Sequence, residues 1–343
     1  MQIFKVRCEV LSPVHIGAGY DIDPMSYIIK SGKLYRIALD NVVAAMDDEV
    51  RAAFETLIDK GNLIEIRKFI ANKVNADQDA VSSTEVSPEI EDLYRSKLGD
   101  IQNQLLIFPF IRTEGDKVPL IPGSSVKGAI RTAVISEMAK SSKLPHPSEN
   151  REIYEFESKV MRYKDGKDDP FRGLRIRDKS MQDGDMIIRD VKNASKKRGG
   201  QLQTNEIQII CEMTHSMVTG KPLSFETEIS FDDNLFATSF LNKKLTIEQI
   251  ITDCNAFYRD KMVQEHKNFY KGSNVEEVSN LLLNIPSDSK SFIIRLGRFS
   301  GVECVTLDNY RNPRPPGGKK VWGTSRNLAE GLYPMGWVRV VVS

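Results

Sequence analysis

Between Phe4 and Val10 every second residue is apolar. Phe4, Val6, Cys8 and Val10 alternate with Lys5, Arg7 and Glu9. A period of two fits a strand with one buried and one wet face. The pattern returns at 223–231, where Leu223, Phe225, Thr227, Ile229 and Phe231 fall on one side. Ser224, Glu226, Glu228 and Ser230 fall on the other. Half-wet strands need a cover for their apolar side, and a helix with an apolar stripe provides one. The best such stripe is Ile247, Ile250, Ile251, Cys254, Phe257 and Tyr258, behind a capping box of Thr246 and Gln249. Antiparallel strands with helices to one side, in both halves of the chain, point to an α+β protein of two related halves.

The remaining elements fill in that outline. "SYIIKSGKLYRIA" reads as a hairpin turning at Ser31-Gly32. Residues 39–98 carry a mostly helical pattern, an insertion with a polar loop near 77–88. "NQLLIFPFI" is a strand whose Pro109 places it at an edge or a bulge. From 141 to 170 the chain turns polar and proline-bearing, which marks an interdomain or mobile region. We therefore divide the chain into 1–145 and 146–343. In the second part "GLRIRD", "DMIIRDV", "SFIIRLG" and "MGWVRVVV" read as strands, and "KNASKKRGGQ" as a basic loop. "EIQIICEM" and "LSFETEISF" read as an antiparallel pair around "HSMVTGKP".

The formal charge of +1 over 343 residues excludes a global basic field, so any anion-binding surface must arise from local segregation of charge. The start lacks the apolar core of a signal peptide, and no run of eighteen apolar residues occurs. Cys8, Cys211, Cys254 and Cys304 are scattered and form no C-x-x-C. These features describe a cytoplasmic protein with reduced thiols, without a membrane span or a zinc site.

One segment carries a chemical signal. In "LIPGSSVKGAIRTAV" Gly123 and Gly128 stand five apart, as in a P-loop, but Ala129 and Ile130 replace the Lys and Ser/Thr that would reach the terminal phosphates and magnesium. Pro122-Gly123 breaks a strand, and Ser124 or Ser125 is placed to cap a helix. Val126, Ala129, Ile130, Ala133 and Val134 give that helix an apolar face. Ser124, Lys127, Gly128 and Arg131 fall on another face. A helix start with hydroxyls and two cations suits phosphate, and a nucleic-acid diester needs no magnesium. A capped surface helix with solvated cations is the plainer reading.

"SPVHIGAG", "IPGSSVKGAIR", "RLGRFSG" and "GLYPMGWVRV" follow in that order, from Ser12 to Val340. Together they resemble the RAMP superfamily of CRISPR-associated RNA-binding proteins. The long helical insertion looks most like the subunit that closes the crRNA 3′ end in the type III-A (Csm) effector complex. The resemblance implies two ferredoxin-like (RRM-like) domains and no cofactor, and phosphate-type chemistry at several loops with no complete catalytic set reads as a non-catalytic RNA binder. It also implies crRNA, the repeating backbone subunit and other Csm subunits as partners. Recruitment of a trimming nuclease stays open. The aromatic signature of the RRM central strand is missing, so base stacking on a sheet is not expected.

Further candidates surround these motifs. Lys319, Lys320 and Arg326 sit with Arg311, Arg314 and Trp322 in "RNPRPPGGKKVWGTSR", a basic loop suited to RNA phosphates and stacking. Arg295 and Arg298 flank Gly297 in a backbone-approach loop, and His15 and Gly17 lie in another. Lys192, Lys196, Lys197 and Arg198 read as a solvated loop. A related RAMP class cleaves RNA with a histidine, so His15 is the alternative catalytic residue. With no second acid–base partner near it in sequence, His15 reads as structural. Asp21 and Asp23 follow the same loop and read as a turn, too few for a metal.

Overall fold

The computed structural model describes residues 1–100, 102–142, 144–145, 150–196, 201–205, 209–238, 245–307 and 323–343. Lys319, Lys320, Arg311, Arg314, Trp322, Lys197 and Arg198 lie outside the described residues.

The opening strand, Gln2–Val10, sits at the middle of a five-stranded antiparallel sheet. On one side it pairs with Trp337–Val342, which pairs in turn with Ser291–Arg295. On the other it pairs along its whole length with Leu223–Phe231, which pairs with Leu174–Ile176. The alternation sends Val6, Cys8, Val10, Phe225, Ile229 and Phe231 inward. Helices Gly123–Lys140 and Ile247–Glu265 cover that inner face and share one core with it. Tyr258 fixes their contact by donating to the carbonyl of Ala129 at 3.0 Å. The expected stripe on the second helix is buried throughout, and Thr246 accepts from the backbone N–H of Gln249. That helix runs on into a single π-turn at His266–Tyr270.

A second sheet runs in the order Tyr333–Pro334, Ser325–Ala329, Met186–Lys196, Ala80–Val86, Lys33–Ile37, Tyr27–Lys30. Ile210–Thr214 and Leu202–Thr204 also pair with Met186–Lys196. The hairpin 27–37 turns where expected, with φ of 54° and 74° at Ser31 and Gly32, the signs of a type I′ turn. Helices Leu39–Ala45, Asp48–Asp59 and Leu63–Lys73 form a small core with the hairpin.

Several expectations need correction. The polar stretch read as a loop near 77–88 contains the strand Ala80–Val86, held between two neighbours in the second sheet. "EIQIICEM" and "LSFETEISF" do not pair with each other. The first joins the second sheet and the second the first sheet. The strand Met186–Lys196 runs on through Lys192 and Lys196, so "KNASK" is not loop. The polar segment 141–170 contains a helix, Asn150–Met161, and its Glu157 and Asp169 ion-pair with the helix Gly123–Lys140. Both sheets draw strands from both sides of residue 145, so a division there does not separate them.

Candidate nucleic-acid interface

The helix of the "PGSSVKGAIR" segment begins at Gly123, with Pro122 at the N-cap position and no capping side chain. Ser124 and Ser125 therefore lie inside the first turn and do not cap it. The anion at this helix start is the chain's own: Asp178 accepts from the N–H of Gly123 at 2.7 Å. The N–H of Ser125 is turned back to Pro122 at 3.0 Å. Gly123 is glycine because the helix start presses on the strand Leu174–Ile176. A Cβ there would overlap the carbonyl oxygen of Ile176 and stand 2.7 Å from its carbonyl carbon. Gly128 is different, since a Cβ on it meets nothing within 4 Å.

The two cations of this helix have separate fates. Arg131 pairs with Asp169 at 2.7 Å and Glu157 at 3.2 Å, bonds Tyr163 Oη at 3.2 Å, and lies over the Phe171 ring at 5.0 Å. It is committed within the chain, and the expectation of a free cation there is corrected. Lys127 has no carboxylate within ion-pair distance among the described residues. Partial burial lowers its pKa from the usual lysine value, with Arg131 and Arg175 adding to the effect and Asp169 opposing it.

The glycine motifs at 12–19, 295–301 and 333–337 interlock. The carbonyl of His15 accepts from the N–H of Arg298 at 2.8 Å, and the carbonyl of Pro13 accepts from Gly336 at 2.8 Å. Gly297, at φ 80°, lies so close that a Cβ would overlap the His15 carbonyl oxygen. Much of the close backbone approach inferred from these glycines is therefore the chain meeting itself.

His15 is enclosed, at 0% exposure, between Phe299 at 6.0 Å and Phe110 at 6.4 Å. Its Nδ1 donates to the carbonyl of Glu212 at 2.7 Å, and its Nε2 has no hydrogen-bond partner among the described residues. Burial holds its pKa below the ordinary histidine value. The Glu212 side chain lies beneath, fully buried. It accepts from Arg36 at 3.0 Å, Phe110 N at 2.9 Å and Thr84 at 3.1 Å, and pairs with Arg112.

Arg295 and Arg326 are buried and structural, against the expectation that they reach RNA. Arg295 meets Glu265 at 2.9 Å and the Met335 carbonyl at 2.8 Å, over the Trp337 ring. Arg326 meets Glu265 at 2.6 Å and Glu303 at 3.0 Å, over Phe269. The π-turn carries Phe269 and Tyr270 into this cluster, and nothing in the sequence pattern announces it. Arg298 is the opposite case. It is exposed, lies over Phe108 at 4.7 Å and Phe299 at 5.0 Å, and has no acceptor among the described residues. Two rings hold a charge that pairs with no carboxylate among the described residues.

Sequence reasoning passed over Arg177 and Lys179, which line a cavity of about 410 Å³ beside Asp178. The "RIRDK" run was the available signal, but the strand assignment absorbed it. Glu226 and Glu228 share that cavity and balance its charge.

The model of the RAMP superfamily matches residues 7–302. The chain belongs to the RAMP superfamily. This RAMP protein is 28% identical over 136 residues to the CRISPR system Cms protein Csm5 of Methanocaldococcus jannaschii. That match covers 38% of this chain and 30% of the relative's length. Its fold matches a chain of the cryo-EM Csm–crRNA–target RNA ternary complex of a type III-A CRISPR-Cas system, with a TM-score of 0.71, at 18% identity, over 99% of this chain and 100% of that one. The crystal structure of T. onnurineus Csm5 matches with a TM-score of 0.60, at 20% identity, over 97% and 99%. The expected α+β architecture of RAMP type is thus the one observed. Among the described residues no helix is long and apolar enough to cross a membrane, and no group of three or more His, Cys, Asp or Glu could hold a metal ion.

Proposed function

We propose that this RAMP protein is a non-catalytic crRNA-binding subunit of a type III-A CRISPR interference complex, working in the cytoplasm. It caps the backbone filament at the crRNA 3′ end and supports crRNA maturation, and its neighbours are the repeating backbone subunit and other Csm subunits. The carrying observation is the match of nearly the whole chain to a subunit fold in an RNA-bound Csm complex. Arg298 supplies the chemistry. It is an exposed guanidinium over two rings, with no acceptor for its N–H donors among the described residues, and a guanidinium of that kind suits a phosphodiester. Lys127 beside the open Gly128 is the second contact, and Ser124, Ser125 and Gly17 border these two places.

The geometry at His15 favours a binding role over cleavage. A general base must reach the 2′-hydroxyl proton, and the free nitrogen of His15 is enclosed.

Size-exclusion chromatography of the protein with crRNA and the backbone subunit tests the assignment. Co-elution of all three as one species is expected. Separate elution from both partners contradicts it. Metal-independent cleavage of repeat RNA in EDTA, lost in His15→Ala, would replace it with the endoribonuclease reading. A trimming nuclease recruited during maturation would add to the co-eluting species.

A further inference from the structure

The segment that links helix Pro88–Lys97 to the short strand Ile107–Phe108 lines a cavity of about 450 Å³ with Asp100, Gln102, Asn103, Gln104, Leu105 and Phe108, among others. The size is that of a small-ligand pocket. Its wall is braced. The N–H of Leu105 donates to Asn103 Oδ1 at 3.1 Å, and the Asn103 carbonyl accepts from Arg67 at 3.2 Å. Leu105 stands at φ 53°, a costly conformation for leucine. Tyr27 holds it there by donating to its carbonyl at 2.6 Å, and its side chain is buried.

The lining has a definite chemistry. Among the described residues that line the cavity there is no cation. The Asp100 carboxylate is engaged by Lys97 at 3.1 Å and the N–H of Gln102 at 3.0 Å. The side-chain amides of Gln102 and Gln104 are exposed and make no hydrogen bond among the described residues. Amides present a donor and an acceptor together, the pairing that matches a base edge. Leu105, Leu106 and Phe108 supply apolar wall for a flat ring. One cation stands against a residue of the lining: the Arg298 guanidinium lies 4.7 Å from the Phe108 ring centroid. A cavity lined by amides and a carboxylate is a poor home for a bare phosphate, and an exposed guanidinium beside Phe108 is a good one.

We propose that this cavity is a nucleobase subsite. One unpaired base of the bound RNA enters it and is read on its edge by Gln102 and Gln104, while Arg298 holds the adjoining phosphate. The inference rests on the RNA-binding reading above and adds to it a place where sequence is sensed.

The test is filter binding of U, A and C homopolymer 8-mers to the full-length protein and to the Gln102→Ala/Gln104→Ala variant. The wild type is expected to rank the three with a spread of about tenfold, the scale of one good edge contact. The variant should bind all three alike, with an unchanged slope of log affinity against log salt, because no phosphate contact has been removed. Both positions are exposed, so an unchanged melting temperature shows that the variant is folded. Equal binding of the three by the wild type, or a ranking that survives in the variant, overturns the subsite while leaving RNA binding intact. No binding of any oligomer by the wild type overturns both.

Discussion

Gly123 stands against the backbone of Ile176 so closely that a Cβ would overlap that residue's carbonyl oxygen, whereas Gly128, five residues on, faces open space. The two glycines of the P-loop-like segment therefore serve different ends. Gly123→Ala is expected to destabilise the fold by at least about 2 kcal/mol, because rigid backbone must move. Gly128→Ala should be neutral, or stabilising by up to about 1 kcal/mol through helix propensity. If RNA approaches at Gly128, the same change weakens crRNA binding. Urea midpoints and filter binding on both variants separate the effects.

Lys127 and Arg131 are expected to part company. Arg131→Ala removes one partner from Asp169 and Glu157 and should cost about 1–3 kcal/mol of stability. It should leave the salt dependence of RNA binding unchanged. Lys127→Ala should do the reverse, at constant melting temperature.

Glu265 is 3% exposed and holds both Arg295 and Arg326. Glu265→Gln leaves two buried guanidinium groups without their shared anion. A loss of about 3–5 kcal/mol is expected. Calorimetric melting of the variant checks it, and a shift of under a degree would count against the buried cluster as a structural element.

Acid should destabilise the protein below the ordinary histidine pKa. Burial lowers the pKa of both His15 and His215 from the usual 6.5, and Lys221 adds to the shift at His215. A lowered folded-state pKa means that the unfolded chain binds more protons in the window below 6.5. Stability is therefore full above that pH and falls as pH drops towards the folded-state values. His15→Asn should flatten part of the fall in urea midpoint measured between pH 7.5 and 5.5.

The sequence made the sheet-and-helix layer legible. Period-two alternation in 4–10 and 223–231 and the stripe of 247–258 are local patterns, and local patterns survive without knowledge of the partner. Pairing is a long-range matter, which is why the 223–231 strand was assigned to the wrong neighbour. The strand Ala80–Val86 was hidden because "AVSSTEV" is largely polar and it is held by pairing with Lys33–Ile37 and Met186–Lys196, segments distant in sequence. Charge was the least legible feature. Arg295, Arg298 and Arg326 read alike in sequence, yet two are neutralised by Glu265, which lies 30 or more residues away. Of the three, Arg298 alone has no acceptor among the described residues, and Lys127 and Arg131 divide in the same way.

The most direct measurement is crRNA affinity against salt concentration for the wild type, Lys127→Ala and Arg298→Ala. Phosphate contacts predict a steep wild-type slope that each substitution reduces by about 0.7, the share of one contact on a single strand. Melting temperatures should stay constant. Salt-independent binding by the wild type, or slopes that neither substitution changes, would contradict RNA-backbone recognition by this surface.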